Sequence, residues 1–233
     1  MNIVLTIAGG SKRFSEAGIE TPKWALPFNN GVVVTEAVKG LMRMDDQKNR
    51  IFIYCLEEHK NLLYSNVERF LGDIKVSITT TKEITSGQAD SAGNCILANG
   101  LDKGQVLIAP GDMIFKNLEK YNFSRDENWL ALSELPGDNW SFAQINQNGK
   151  VIRTAEKERI SSFASVGLYH FRSGKQFLEL LESGTMTKGE NYIAPLYNNL
   201  ITFGEVVSSV FISRQDFIDL GTPKAYMENL PNT

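Results

Sequence analysis

Short apolar runs and amphipathic helical patterns alternate along the first half of the chain, and this alternation restricts the fold more than any other feature. Four apolar runs are typical of strands that are buried on both faces. They lie at residues 2–7, 51–56, 76–79 and 105–110. Three patterns between them repeat apolar residues every three or four positions, as crossover helices do. They lie at residues 35–44, 59–71 and 89–101. This alternation predicts a parallel sheet with helices on both faces.

The second half of the chain carries strand patterns that are joined by shorter connections. The strand patterns lie at residues 129–135, 140–146, 150–156, 162–171 and 206–211. Asn148-Gly149 is a hairpin signal between the second and the third of these. Helical patterns lie at residues 173–183 and 190–203 and after Thr222-Pro223. Since no Pro-, Gly- or Ser-rich linker divides the chain, we predict one α/β domain over residues 1–233, with a mixed, mainly parallel sheet flanked by helices.

The segment after the first strand pattern is longer than an ordinary strand-to-helix turn and carries two cations. It runs Ala8-Gly9-Gly10-Ser11-Lys12-Arg13-Phe14 and continues to Pro22-Lys23. Glycines permit a ligand to approach the backbone, exposed amides can bind phosphate oxygens, and a guanidinium group matches phosphate geometry. A Gly-Gly pair alone also fits a simple tight turn. Arg13 and Lys23 therefore favour a phosphate site, although the segment matches neither the P-loop nor the G-x-G-x-x-G pattern.

The overall charge requires that any phosphate site be built locally. The formal net charge is −3, so the chain has no global basic field that would attract nucleic acid or an anionic membrane. No apolar run approaches the roughly 20 residues of a membrane span, and the first residues lack the pattern of a signal peptide. Cys55 and Cys95 lie in apolar runs and are too few for a disulfide framework. We therefore expect a cytoplasmic protein with reduced core thiols.

Several blocks of the sequence, in order, resemble the signature of nucleotidyltransferases that activate sugar phosphates. The blocks are Ala8-Gly9-Gly10-Ser11-x-Arg13-Phe14 with Pro22-Lys23, Thr85-Ser86-Gly87-Gln88-Ala89, Ala109-Pro110-Gly111-Asp112, Glu156-Lys157, Ser165-Val166-Gly167-Leu168-Tyr169, Gly189-Glu190-Asn191-Tyr192 and Asp219-Leu220-Gly221-Thr222-Pro223. They extend over nearly the whole chain. The resemblance is strongest to the branch that serves capsule and surface-polysaccharide synthesis.

The resemblance implies a Rossmann-like fold, of the nucleotide-diphospho-sugar transferase or A-type glycosyltransferase-like kind. Residues 1–125 would form the nucleotide-binding half and residues 126–233 the acceptor-binding half. The implied nucleotide-binding residues are Ala8, Gly9, Gly10, Ser11, Arg13, Lys23, Ser86, Gly87, Gln88, Gly111 and Asp112. The implied acceptor-binding residues are Glu156, Lys157, Gly167, Glu190 and Asn191. The implied catalytic residues are Arg13, Lys23 and Asp112, and Asp112 and Asp219 would bind Mg²⁺.

Each implied role has a plainer alternative that the residues alone leave open. Arg13 would hold the leaving phosphates and Lys23 would bridge the α-phosphate and the acceptor phosphate, but both also fit surface cations. Asp112 and Asp219 also fit acids at a turn or a helix start. Gln88 would read the base through its amide, and it also fits a polar residue at the start of a helix.

Two positions depart from the family pattern. Ser11 stands where the family usually has a second loop glycine, so a residue with a Cβ must adopt the backbone conformation of the loop. Trp24-Ala25 replaces the usual Pro-Leu after the lysine, and Trp24 either covers an acceptor or packs in the core.

These features together predict a Mg²⁺-dependent enzyme that transfers a nucleoside monophosphate from an NTP to a small phosphorylated acceptor and releases pyrophosphate. CTP and a sugar 1-phosphate are the first expectations for the substrates. A phosphorylated amino alcohol, amide or polyol remains open as the acceptor, as does a non-catalytic nucleotide sensor, which Ser11 alone favours. A glycosyltransferase is disfavoured because Gly111-Asp112-Met113-Ile114 stands where an Asp-x-Asp is expected. We expect no nucleic-acid or membrane partner, and a homodimer remains open.

Overall fold

The computed structural model describes residues 1–44, 49–124, 126–183 and 189–230. Its strands are β1 Asn2–Thr6, β2 Pro27–Phe28, β3 Gly31–Val32, β4 Arg50–Leu56, β5 Val76–Thr81, β6 Val106–Pro110, β7 Met113–Phe115, β8 Asn128–Glu134, β9 Ser141–Ile145, β10 Val151–Glu156, β11 Phe163–Phe171, β12 Val207–Phe211 and β13 Phe217–Asp219. Its α-helices are α1 Lys12–Glu16, α2 Val33–Met42, α3 Lys60–Leu71, α4 Gln88–Ala98, α5 Gly174–Ser183, α6 Leu196–Thr202 and α7 Pro223–Glu228.

Strand β1 lies inside a nine-stranded sheet, between β4 and β6. Both neighbours are parallel to it, with Asn2 opposite Arg50 on one side and opposite Val106 on the other. Strand β5 continues the sheet in parallel beyond β4. The carboxyl ends of these four strands therefore meet at one edge, where open α/β sheets bind their ligands.

Strand β11 connects the two halves of the sheet. It runs antiparallel to β6, β8 and β9, and β8 in turn pairs in parallel with β12. Strands β9 and β10 form the predicted hairpin, in which Gly149 adopts a φ of 72°. The predicted α/β class, with a mixed sheet flanked by helices, is confirmed.

Successive residues of β1 enter different cores because side chains alternate along a strand. Ile3 packs in a cluster that includes Leu41 of α2 and Leu63 of α3. Val4 packs in a second cluster that includes Ile96 of α4 and residues of α5 and α6. The helices therefore cover both faces of the sheet, as predicted. Within the described ranges, no helix is both long and apolar enough to span a bilayer.

The helix predicted over residues 190–203 is wrong in its first part, because α6 begins only at Leu196. The backbone N–H of Asn191 donates to the carbonyl of Ser86, and its carbonyl accepts from the N–H of Ala89. These hydrogen bonds to a distant segment replace the helical ones. Pro195 then precedes the helix, where a residue without an N–H is tolerated.

Two short antiparallel pairs were not predicted from the sequence. Strand β2 pairs with β3, and β13 pairs with β7 so that Asp219 lies opposite Met113. Pairs of two or three residues are too short to produce an alternating pattern. The second pair matters because it brings the segment ending at Asp219 beside the segment that follows Asp112.

Helix α2 lies directly against β7 because Gly40 has no side chain. A Cβ atom placed on Gly40 would lie only 2.4 Å from the carbonyl oxygen of Phe115. Non-bonded atoms do not approach each other this closely, and the main chain of Phe115 cannot move aside as the end of a flexible side chain can. Gly40 therefore lets α2 pack closely on the strand that follows Asp112.

We expect Gly40→Ala to lower the free energy of unfolding by about 1–3 kcal/mol, the range typical of overpacking. This loss opposes the gain of about 1 kcal/mol that helix propensity alone predicts for alanine over glycine. Gly93→Ala in α4 is the matched control, since a Cβ there meets side-chain atoms and no backbone, and its one short contact is with the flexible end of Leu181, at 2.6 Å. Urea unfolding should leave Gly93→Ala near the wild-type value. Equal stability of the two variants would contradict the close packing of α2 on β7.

Candidate active site

A cavity of about 550 Å³ opens at the carboxyl ends of β1 and β6. Three segments supply most of its wall: residues 6–10, residues 84–88 and residues 110–112. Lys23, Trp24, Ser91, Gly189 and Glu190 complete it. The cavity is therefore built where the first-half strands end, by the loops that follow those strands.

The loop after β1 reaches the short helix α1 through an unusual backbone conformation at Ser11. Ser11 has φ 48° and ψ 29°, in the left-handed region that residues with a Cβ rarely adopt. Its carbonyl accepts hydrogen bonds from the N–H groups of Phe14 and Ser15. Its hydroxyl accepts a hydrogen bond from the backbone N–H of Lys23, at 3.3 Å. Ser11 thus ties the glycine loop to the segment that carries Lys23.

Lys23 begins a 3₁₀ turn after Pro22, and its ammonium group contacts Asp112 directly. Nζ of Lys23 lies 2.5 Å from Oδ2 of Asp112, and both side chains are partly buried. The negative charge of Asp112 raises the pKa of Lys23, against the opposing effect of burial. Asp219 raises this pKa further, and the charge of exposed Arg13 lowers it. The charges of Asp112, Asp219 and Arg13 therefore all act on the same ammonium group.

Asp112 and Asp219 approach each other across Gly221. A Cβ atom placed on Gly221 would lie 3.1 Å from Oδ1 of Asp219 and 3.2 Å from Oδ2 of Asp112. The backbone N–H of Gly221 donates to Oδ1 of Asp219 at 2.9 Å, and that of Leu220 donates to the carbonyl of Asp112 at 2.9 Å. Burial raises the pKa of Asp219, and the neighbouring charge of Asp112 raises it further. A cation between the carboxylates would oppose both increases in the pKa of Asp219.

The donors at this point suit a hard divalent cation. Among the residues that the structure describes, no three or more histidine, cysteine, aspartate or glutamate side chains group together as a metal site. Mg²⁺ does not need such a cage, because it usually binds one or two carboxylates and completes its shell with water and substrate phosphates. Asp112 and Asp219 supply two oxygen-donor groups beside a cavity, so the residues present fit Mg²⁺.

The segment from Ser86 to Gln88 is held against Asn191. Gly87 has a φ of 154°, and a Cβ there would lie 2.4 Å from the carbonyl oxygen of Asn191. The side chain of Asn191 donates to Asp90 at 2.8 Å. Asn191 therefore fixes the cavity wall from behind, and Gln88 on that wall opens helix α4.

A second polar cluster lies beside Glu190. Nζ of Lys157 donates to the hydroxyl of Tyr192 at 2.6 Å, and this hydrogen bond raises the pKa of Lys157. The hydroxyl of Ser141 donates to Glu156. Burial raises the pKa of the nearby Tyr169 hydroxyl to about 12.

Most of the residues predicted to bind the nucleotide line the cavity, together with one predicted acceptor residue. These are Ala8, Gly9, Gly10, Lys23, Ser86, Gly87, Gln88, Gly111, Asp112 and Glu190. The remaining predicted residues are outside its lining: Ser11, Arg13, Glu156, Lys157, Gly167, Asn191 and Asp219. Gly167 nevertheless contacts the wall, since a Cβ there would lie 2.9 Å from Pro110.

Some cavity residues were not predicted from the sequence. Ile84 is 64% exposed, unusual for a large apolar side chain, and its tip is 3.2 Å from a Cβ placed on Gly10. Its position next to the Thr85-Ser86 block is the signal that could have identified it.

Trp24 is only 1% exposed and packs edge-on against His59. Trp24 therefore belongs to the core and presents only part of its surface to the cavity.

The chain is similar to known proteins over nearly its whole length. The family model described as nucleotidyl transferase matches residues 2–233. A nucleoside-diphosphate-sugar pyrophosphorylase from Vibrio cholerae RC9 is 28% identical, with a TM-score of 0.86 over 98% of each chain. No curated protein gives a significant match.

Two more distant structures share the fold. The inositol-1-phosphate CTP transferase from T. maritima is 15% identical, with a TM-score of 0.79 over 96% of this chain and 90% of that one. A UDP-glucose pyrophosphorylase complexed with UDP-glucose is 15% identical, with a TM-score of 0.77 over 97% of this chain and 95% of that one.

We expect Asp219→Asn to raise the free energy of unfolding at pH 7 when metal is removed by EDTA. The folded state binds the Asp219 proton more tightly than the unfolded chain does, so ionisation at neutral pH opposes folding. The gain over wild type should shrink as the pH falls through the raised pKa of Asp219. Urea unfolding at several pH values measures it.

Asp216→Asn, three residues away, is the opposite-sign control. Hydrogen bonds from Tyr121 and Asn117 lower the pKa of Asp216, so its charge stabilises the fold at neutral pH. This variant should lose about 1–3 kcal/mol at pH 7, as expected for charged hydrogen bonds, and the loss should shrink only at more acidic pH. A loss of stability in Asp219→Asn at pH 7 would show that Asp219 is not under electrostatic strain.

Proposed function

The chain belongs to the nucleotidyl transferase family, and we propose that it transfers a nucleoside monophosphate from an NTP to the phosphate of a small phosphorylated acceptor. Pyrophosphate is the second product. The observation that carries the proposal is the convergence of Lys23, Asp112 and Asp219 at the edge of a cavity enclosed by the loops that follow the parallel strands.

The reaction needs charge neutralisation more than proton transfer. The attacking oxygen of a phosphate is already ionised, so no general base is required, and the site must bring two anions together. Repulsion between two unit charges 4 Å apart is about 1 kcal/mol in water and about 4 kcal/mol at an effective dielectric constant of 20. Lys23, at the cavity wall, would reduce this repulsion between the α-phosphate and the acceptor phosphate, and Arg13 would hold the leaving phosphates.

We propose that Asp112 and Asp219 bind Mg²⁺. When bound, the ion would neutralise charge on the phosphate oxygens. Asp112 also contacts the ammonium group of Lys23, so this lysine would lie next to the bound ion. The raised pKa of Asp219 is consistent with a pair of carboxylates that a divalent cation would stabilise.

The cavity suggests how the nucleotide is oriented. The exposed glycines 9 and 10 would contact the phosphates through their amides, and the wall at Ser86, Gly87 and Gln88 would contact the base. The side-chain amide of Gln88 can both donate and accept, as recognition of a base edge requires. CTP is our first candidate, and the T. maritima structure of the same fold is named for a CTP-dependent transfer.

The acceptor would bind between the metal site and the second half of the chain, residues 126–233. Glu190 lines the cavity there, and Glu156, Lys157, Gly167 and Asn191 lie behind it or beside it. A sugar 1-phosphate is our first candidate, because the Vibrio cholerae relative is named a nucleoside-diphosphate-sugar pyrophosphorylase. A cytoplasmic role in supplying surface-polysaccharide precursors is the corresponding proposal for the pathway.

We expect purified protein to release pyrophosphate only when Mg²⁺, an NTP and a phosphorylated acceptor are all present. The test is a panel of four NTPs against sugar 1-phosphates and phosphorylated amino alcohols and polyols, with a coupled pyrophosphate assay. EDTA should abolish the signal and added Mg²⁺ should restore it. NTP binding without turnover across the whole panel would contradict the proposed transfer and favour a nucleotide sensor.

We expect Asp112→Asn and Lys23→Met each to lower kcat/KM by about a hundredfold or more, as loss of a preorganised charge at a reacting centre does. Each has a matched control outside the cavity. Lys39→Met breaks the ion pair with Glu36 on α2, at 2.7 Å, and Asp138→Asn breaks an ion pair on the exposed surface. Both controls should keep wild-type kinetics. Wild-type kcat/KM in Lys23→Met or Asp112→Asn would remove that residue from the mechanism.

A further inference from the structure

We propose that Tyr192 is a positioning residue that holds the ammonium group of Lys157 at the acceptor end of the cavity. The inference rests on the proposed function, since it assigns Lys157 to the acceptor phosphate. It adds a residue that carries no charge of its own and that acts on the substrate only through Lys157.

The hydroxyl of Tyr192 holds a cation beside a carboxylate. It accepts a hydrogen bond from Nζ of Lys157 at 2.6 Å, and Nζ also lies 4.7 Å from the centre of the tyrosine ring. Burial raises the pKa of the hydroxyl, the neighbouring Glu190 raises it further, and Lys157 lowers it. One hydroxyl can donate once and accept at the same time, so Tyr192 can hold Lys157 and still donate to a neighbouring carboxylate.

The backbone of Lys157 is also held in an unusual conformation. Lys157 has a φ of 52°, in the left-handed region that is unfavourable for residues with a Cβ. Its backbone N–H donates to the carbonyl of Trp140 at 2.9 Å. Such strained residues persist only where their surroundings determine them, and they concentrate at functional sites. The main chain and the tyrosine ring thus fix the side chain of Lys157 from both ends.

The two carboxylates near Lys157 explain why a neutral spacer is needed. Glu156 and Glu190 both raise the pKa of Lys157 through their charges. Without the hydroxyl, the long lysine side chain would be free to pair directly with one of them, and its charge would then be less available to a phosphate. Since Glu190 lines the cavity, an acceptor entering there would meet Glu190 and, beside it, the hydrogen-bonded pair of Lys157 and Tyr192. The carboxylate suits hydroxyl groups and the ammonium suits the phosphate.

Tyr192→Phe tests the inference because it keeps the ring and removes only the hydroxyl. We expect the KM for the acceptor that the panel identifies to rise about tenfold, while kcat and the KM for the NTP stay within about twofold. Tyr64→Phe is the matched control, since Tyr64 on α3 also packs against a lysine, with Nζ of Lys60 6.0 Å from its ring. The control should leave all constants unchanged. Thermal unfolding of both variants checks that the fold is intact.

A second readout does not depend on turnover. Acetic anhydride labelling followed by mass spectrometry reports how freely each lysine amine reacts. Labelling of Lys157 should become several-fold slower in Tyr192→Phe, because direct pairing with a carboxylate keeps the amine protonated. Lys60 in the same sample is the internal reference, and labelling of Lys157 should not change in Tyr64→Phe.

The outcomes separate the two proposals. Unchanged labelling of Lys157, or an unchanged acceptor KM in an active Tyr192→Phe enzyme, would overturn the role of Tyr192 and leave the proposed function intact. Wild-type protein that is inactive across the whole panel would overturn the proposed function, and the role of Tyr192 with it.

Discussion

The contact between Lys23 and Asp112 is the interaction on which the rest of the site depends. Two partly buried carboxylates, Asp112 and Asp219, lie beside the same glycine, and their mutual repulsion is strengthened by the loss of water around them. The ammonium group of Lys23, 2.5 Å from Oδ2 of Asp112, offsets this repulsion. In the reaction proposed above, the same three groups would hold a metal ion and the phosphates. Burial and the charge of Asp112 raise the pKa of Asp219, so the charged form of Asp219 costs the folded state stability.

The topology explains how residues distant in the sequence reach this point. Strands β1 and β6 are adjacent and parallel, so the loop with Ser11 and the loop with Asp112 leave the sheet at the same edge. The short pair of β7 and β13 then returns the chain to Asp219, and Gly40 lets helix α2 support β7 from outside. Gly221 leaves the space between the two carboxylates unfilled. Each of these segments positions one part of the site, and the site exists only when all of them pack together.

The parts of this structure that the sequence predicts are those recorded in local patterns. The parallel strands are continuous apolar runs because both of their faces are buried, so their positions can be read directly. The segment from 190 to 195 is different: its backbone pairs with Ser86 and Ala89, and no local pattern records a partner so far away. The same distinction between local patterns and distant contacts applies to the site. Motif blocks predict Lys23 and Asp112 as residues, but their contact, and the hydrogen bond from Lys157 to Tyr192, depend on how separate segments pack.

Ser11 shows how a departure from a family pattern can be absorbed by the structure. A left-handed conformation disfavours a residue with a Cβ by roughly 1–2 kcal/mol relative to its usual conformations. Ser11 adopts that conformation nonetheless, so the loop keeps the path that a glycine would allow. Its hydroxyl accepts from the N–H of Lys23, and a hydrogen bond of this kind typically contributes about 0.5–1.5 kcal/mol, which offsets much of the strain. A glycine could not make this bond. The serine therefore does not argue against the proposed phosphate site, and its hydroxyl couples the position of the loop to the position of Lys23.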